Sequence, residues 1–449
     1  CTTTLEGVGG MDNQAALIAV QQRFSLIRLN GQYSVLDNKE IERARKGKLR
    51  ADIGFFEGAD ARTLLKRFLQ TLPIACDVNV VIGRFWDDPN TVEYSQTAFS
   101  PEPQSADALN FWVGQSIVPN EGDARVIKYF IRNVICAGDL ALYKYLMKFL
   151  AHMLQKPEEK PGICVVLIGG QGVGKGIFFQ LLARIWGVTT LLVSDIDQVI
   201  GRFNAALERN YVICMDEALF AGDKKSLNRL KSVVPEPEIR IEQKYQPSRT
   251  IKSYQRFFAA TNHEHFAHME HDDRRFLFLR VSDVHKQDTK YFGALYKSIH
   301  DGRSVEALVH LLMNGSLANF DVRSRPLSAE HLRQRLKSLE NFERYWYEVL
   351  RQGEITRFEF APIDWFEPVF VSTGTLVKGY KHANKNAERY ATVQSEVIAA
   401  QLLKVCPSAK KNRSAEAHST VRKRGYELPH ISVARRDFDR YLGCNIDWT

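Results

Sequence analysis

Between Leu167 and Phe179 the sequence reads LIGGQGVGKGIFF, five glycines around a single lysine. Gly169, Gly170, Gln171, Gly172, Val173, Gly174 and Lys175 fit the pattern Gly-x-x-x-x-Gly-Lys. A strand ending in glycines lets successive N–H groups curl toward phosphate oxygens, and the next helix adds its positive N-terminus. Lys175 supplies a point charge to the outer phosphates. The next position departs from the pattern: Gly176 stands where Ser or Thr would offer a hydroxyl to magnesium. The alternative, a glycine-rich turn without function, fits the strand–loop–helix setting poorly.

Three further stretches supply complementary chemistry. YVICMDE ends an apolar run in Asp216-Glu217, where Asp216 suits a metal role and Glu217 a water-polarising one. FFAATN places Thr261-Asn262 after another apolar run, so the Asn262 amide can position a water beside a terminal phosphate; by itself Thr-Asn is ordinary turn chemistry. HDDRRFLFLRV sets Arg274 and Arg275 before an apolar strand. A guanidinium reaching a neighbouring subunit's phosphate would stabilise transition-state charge, a role that suits Arg275 better than Arg274. The bland alternative is a surface salt bridge to Asp272 or Asp273.

Between the acids and Asn262, EIRIEQKYQPSRTIKSY alternates as two strands about a turn near Gln246-Pro247-Ser248. Lys244, Tyr245, Arg249 and Lys252 combine cations with an aromatic, as a surface tracking a nucleic-acid backbone requires; an ordinary charged hairpin is the other reading. His263, His265, His268 and His271 crowd one loop without the spacing of a zinc site, so a polar loop is expected rather than a metal centre.

The elements that position these residues follow from periodicity. ICVVLIG, NYVICMDEAL and YQRFFAATN are near-continuous apolar strands, with KGIFFQLLARIW and residues 224–234 as helices between them. That alternation predicts an α/β fold with a parallel sheet covered on both faces. RFSLIRLNGQYSVLD predicts a hairpin turning at Asn30-Gly31, DARTLLKRFLQTL a helix, and residues 121–155 a helical block broken at Ala137-Gly138. PEPQSADALN (101–110) reads as a linker, and residues 286–350 as helical.

The 449 residues allow several domains, and no apolar run approaches membrane-spanning length. CTTTLEGVGG has no basic flank or apolar core, so it is no signal peptide; a cloning scar or the cut edge of a longer chain is expected. Seven scattered cysteines without a CxxC pair fit a reducing compartment and exclude a zinc or disulfide framework. The net charge of +9 is concentrated: residues 371–424 hold eleven Lys or Arg against three Glu, a local +8. Such a segment, which includes Lys410, Lys411, Arg413, Arg422, Lys423 and Arg424, is an electrostatic footprint for a polyanion, or else a solvated basic face.

Taken in order, GGQGVGKG, VICMDEA and IEQKYQPSRTIKSYQRFFAATN resemble the phosphate loop, Walker B strand and B′ and C motifs of superfamily 3 helicases. These are AAA+-type P-loop ATPases, and the likeness is to the helicase part of phage and plasmid primase–helicases. It is strong over 107–285, fair over the C-terminus and weak over 1–100. The resemblance implies ATP and Mg2+ as cofactors, Asp216 on the metal, a homo-hexameric ring, and unwinding from 3′ to 5′. It implies Lys244 and Tyr245 as pore contacts on single-stranded or forked DNA, and Gly176 as tolerated, since related loops read GKG.

The expected layout is an N-terminal α+β region (1–110), a helical collar-like region (111–160), the ATPase core (161–285), a helical lid or connector (286–360) and a basic DNA-binding domain (361–449), winged-helix-like and loosely so. Residues 12–110 lack a persuasive primase carboxylate set, so a primase or replication initiator is expected as a partner or on a missing part. The implied setting is a bacterial host cytoplasm and replication of a mobile element, with no membrane partner. The competing reading is a nucleotide-gated DNA-binding ring with feeble turnover, which Gly176 would favour. An RNA-directed ATPase and a small-molecule kinase rank below both.

Overall fold

The computed structural model describes residues 12–29, 31–45, 54–217, 224–242, 248–263, 274–339, 341–355, 362–384, 395–416 and 419–448. Two compact units divide the chain. The first comprises Cys1–Ala218, Asn228–Asn262 and Arg280–Ser324; the second comprises Leu219–Leu227, His263–Leu279 and Arg325–Thr449. No described helix is long and apolar enough to cross a membrane.

The first unit is built on a parallel sheet. Four of its five described strands are β1 (Cys164–Ile168), β2 (Thr190–Val193), β3 (Val212–Asp216) and, after a separate β4–β5 hairpin (Glu238–Ile241 and Arg249–Lys252), β6 (Arg256–Thr261). Strand β6 lies between β1 and β3, parallel to both, and β2 flanks β3. Every residue of β1 and β6 is buried. Each fully buried large aliphatic or aromatic side chain contributes about 1.5–3 kcal/mol, so the unbroken apolar runs leave these strands no solvent face to choose. The mixed α/β fold with a parallel sheet is as the sequence predicts. Strand β2 is not anticipated: four residues, with Leu192 exposed, give too short and too open a signal.

Helix α1 (Lys175–Trp186) begins at Gly174 and packs Phe178, Phe179, Leu182 and Ile185 inward. Ahead of the sheet, a π-helical turn over Phe130–Ile135 ends in a reversal at Ala137 and Gly138, both with positive φ, before the helix Leu140–Gln155. The N-terminal part holds the expected hairpin, Phe24–Leu29 against Gln32–Asp37, and helices Gly58–Gln70 and Val78–Asp87. Residues 101–110 are not a free linker. Ala108–Asn110 pairs in parallel with Gln96–Ala98, and Glu102 accepts from Lys252 Nζ (2.9 Å) and Tyr254 Oη (2.8 Å). Proline content marked an irregular path; partners about 150 residues away made it part of the fold.

In the second unit, helix Asn341–Gln352 is followed by strand Val369–Ser372, helices Thr373–Ala383 and Ser395–Val405, the hairpin Lys410–Ala415 with Arg422–Leu428, and helix Ile431–Leu442. Arg422–Leu428 is the middle strand of three, antiparallel to both neighbours. Trp346, Trp365, Leu402 and Phe438 centre its core, and Trp365 Nε1 donates to Pro429 O (2.9 Å).

Candidate functional site

Parallel register decides where the candidate side chains meet. Ala260 of β6 sits opposite Leu167 of β1 on one side and Asp216 of β3 on the other. The three strands therefore end together, and their C-terminal extensions share one sheet edge: the Gly169–Gly176 loop, Thr261-Asn262, and Asp216-Glu217. Because β6 is the middle strand, Asn262 stands between the lysine and the glutamate.

Lys175 Nζ donates to Gly169 O (2.7 Å), Gly170 O (2.8 Å) and Asn262 Oδ1 (2.6 Å), which uses all three of its protons. Asn262 Nδ2 in turn donates to Glu217 Oε1. A single amide thus joins cation to carboxylate. The Lys175 ammonium is buried, which pulls its pKa down, while Asp216, Glu217 and Asp283 pull it back up. Asp216 is held above the ordinary carboxylate range by burial and by the neighbouring Glu217 charge, against Lys175. Glu217 has φ +52, a left-handed conformation costing a non-glycine residue about 1–3 kcal/mol. Its N–H continues the ladder to Ala260 O (3.0 Å), so the strain turns the carboxylate toward Asn262 without breaking the sheet.

The loop's glycines differ in what they permit. Gly174 has φ +106, and a Cβ there would lie 2.8 Å from Phe292 Cε1 and 3.2 Å from Phe130 Cε2. At Gly176 a Cβ would meet nothing within 4 Å. The missing hydroxyl is therefore not excluded by space. Gly176→Ser should fold at least as well as wild type, by about 0.5 kcal/mol from helix propensity alone. Under the nucleotide reading below, it should also tighten the dependence of turnover on Mg2+; urea denaturation and a Mg2+ titration check the two halves.

Asp216 and Glu217 offer hard oxygen donors, and the raised Asp216 pKa marks a carboxylate that a nearby cation would relieve. Among the described residues no group of three or more ligating side chains could hold a metal by itself.

The other candidates are placed less closely. Lys244 and Tyr245 lie outside the described residues, as do His265, His268 and His271; His263 is exposed. The expected hairpin forms, with Arg249 opposite Ile241 and Lys252 opposite Glu238. Yet Arg249 makes a two-pronged ion pair with Glu208, and Lys252 pairs with Glu102, so both charges are largely matched within the fold. Arg274 and Arg275 belong to the second unit, where Arg274 O accepts from Arg325 Nε (3.2 Å) and Arg275 is half-buried before the buried residues 276–279. Lys410, Lys411, Arg413, Arg422, Lys423 and Arg424 are all exposed on one hairpin, where Arg413 sits directly opposite Arg424. Like charges in that position oppose pairing.

Sequence reasoning gave residues 282–288 no part in the site. Val281 N donates to Ile168 O (2.8 Å), and Gln287 N to Gly172 O (3.0 Å), so SDVHKQD runs along the loop. Its only signal was a polar run following a buried strand.

Residues 167–275 match a family described as of unknown function, DUF5906. A DNA primase-polymerase of Nitratiruptor phage NrS-1 is 26% identical over 149 residues, which is 32% of this chain and 20% of that protein. The matched stretch thus spans about a fifth of that relative's length. An apo structure of the NrS-1 C-terminal region superposes with a TM-score of 0.61 at 14% identity, covering 92% of this chain and 98% of that one. Its A form gives 0.63 at 13% identity, over 93% and 100%. At these identities the likeness concerns the fold.

Proposed function

We propose that this chain is an ATP-driven DNA helicase motor acting in the replication of a phage or related mobile element. The observation that carries the proposal is the Lys175–Asn262–Glu217 connection at the shared end of three parallel strands, with Asp216 beside it. In this reading the loop N–H groups and the start of α1 bind the phosphates, and Lys175 neutralises their outer charge. Asp216 would hold Mg2+, which would supply positive charge beside the phosphate oxygens. Glu217, oriented by Asn262, takes the proton of the attacking water. Arg275, supplied by a neighbouring subunit of a ring, completes the charge stabilisation.

The C-terminal part of the second unit, residues 369–442, serves as the DNA grip. A helix–strand–helix–helix–hairpin order with a three-stranded antiparallel sheet is what a winged-helix-like domain requires. Arg413 opposite Arg424 is a repulsion that a polyanion would relieve. The phage setting rests on the NrS-1 relative, a DNA primase-polymerase, and on the likeness of fold to its C-terminal region.

The test is steady-state ATP hydrolysis by the full chain, with and without single-stranded DNA, followed by strand displacement on a forked duplex. DNA-stimulated turnover and displacement are expected, and Arg275→Ala should lower turnover wherever subunits associate. DNA binding with negligible turnover would overturn the motor reading. One observation favours that second outcome: Gly176 removes the metal-side hydroxyl, which leaves a nucleotide-gated DNA-binding ring as the other reading.

A further inference from the structure

Lys286 lies against the same loop and has no assigned task. Its Nζ is 3.5 Å, and its Cε 3.8 Å, from where a Cβ on Gly170 would stand. The side chain is exposed, and no hydrogen bond or ion pair engages its ammonium among the described residues. Lys175, by contrast, is buried with all three protons directed to named acceptors.

The neighbours of Lys286 are fixed. Gln287 adopts φ +59 and donates its N–H to Gly172 O, a strained conformation that ties this segment to the loop. On the other side, the His285 ring stacks on Tyr291 with centroids 3.7 Å apart and planes at 6°. His285 Nδ1 is 3.2 Å from Asp288 Oδ2, and its Nε2 is 3.4 Å from Tyr129 Oη. Asp288 also caps the following helix, Thr289–His300, by accepting from Tyr291 N (2.9 Å). Lys286 is therefore an exposed cation on a tethered segment beside the glycine loop.

We propose that Lys286 is a second phosphate-binding lysine, closing over the Gly169–Gly176 loop from the outside while Lys175 acts from within. The inference rests on the nucleotide reading of the loop. An exposed ammonium with no partner keeps its charge available, and placed beside a polyphosphate it gains a charge-assisted contact while giving up no internal one. The contact should favour triphosphate over diphosphate and both over the nucleoside, because it reads phosphate charge.

Binding of a fluorescent ATP analogue to the full chain in Mg2+, with competition by ATP, ADP, adenosine and inorganic tripolyphosphate, tests this. The proteins are wild type, Lys286→Ala, Lys286→Arg and Lys175→Ala. Lys286→Ala should weaken ATP and tripolyphosphate about tenfold, leave adenosine unchanged and leave the unfolding midpoint unchanged; Lys286→Arg should recover most of the loss. If wild type binds ATP, Lys175→Ala loses it and Lys286→Ala matches wild type, the Lys286 contact is wrong and the loop reading stands. Wild type with no affinity for ATP or tripolyphosphate overturns both. A Lys286→Ala loss that Lys286→Arg does not recover, or that extends to adenosine, also overturns the contact.

Discussion

Glu217→Gln should abolish nucleotide turnover while leaving nucleotide binding near the wild-type level. The substitution keeps side-chain shape, so the left-handed backbone at Glu217 and its N–H bond to Ala260 O persist. What it removes is the negative oxygen that accepts from Asn262 and would accept the proton of water. Loss of a positioned general base costs about 10²–10⁴-fold in rate. Binding depends on other groups, the loop N–H donors and Lys175. The contrasting variant is Lys175→Ala, which should lose both binding and turnover, since it deletes the charge facing the phosphates. Single-turnover hydrolysis beside equilibrium binding separates the two. A Glu217→Gln protein that hydrolyses within a few-fold of wild type would remove Glu217 from the mechanism.

The largest effect on stability should come from a residue with no part in the chemistry. Arg256 begins β6 fully buried, donating from Nη1 to Tyr254 O (2.6 Å) and from Nη2 to Lys156 O (3.3 Å), Pro157 O (3.1 Å) and Glu159 O (2.7 Å). Its guanidinium also lies over the Tyr211 ring, 4.9 Å from the centroid. Burial pulls its pKa down, and Tyr211, Glu158 and Glu159 oppose that pull. Two effects compete in Arg256→Met. Removing a buried charge relieves desolvation, but four carbonyls lose their common donor: that of Tyr254 is buried and the three on the 156–159 turn are part-buried, and a buried unsatisfied acceptor costs about 1–3 kcal/mol. The second wins, because one guanidinium ties the 156–159 turn to the start of β6 through all four bonds. A loss of at least about 3 kcal/mol is expected, read as a lower urea midpoint at unchanged slope. Arg256→Lys should recover less than half, since one ammonium cannot span acceptors arranged for a planar fork. A midpoint within experimental error of wild type for Arg256→Met would show that the 156–159 turn finds other donors.

Much of the candidate site was legible because its parts are local in sequence. Gly169–Lys175, Asp216-Glu217 and Asn262 each sit just past an apolar run, and parallel strands necessarily deliver their ends to one edge. The relation among them was not legible. Nothing in the residues states that β6 inserts between β1 and β3, yet that insertion is what puts Asn262 between Lys175 and Glu217. Charges read singly told less for the same reason: nothing local to Arg249 and Lys252 announces their partners, Glu208 and Glu102, which come from 41 and 150 residues away. The basic cluster of Lys410, Lys411, Arg413, Arg422, Lys423 and Arg424 was easier, since its cations are near neighbours along the chain; their pairing across a hairpin came only with the structure.

The position of β6 has a mechanical consequence. Its first residue is bolted into the body through Arg256, its last precedes Asn262, and the β4–β5 hairpin joins it just upstream through Tyr254. Six residues of strand span about 20 Å with no joint between them. A phosphate that draws Lys175 away from Asn262 would therefore tug one end of a stiff rod whose far end carries the hairpin. A rod anchored by Arg256 and hydrogen-bonded along both edges transmits little travel, so the amide end would answer a phosphate while the hairpin end stays with the body.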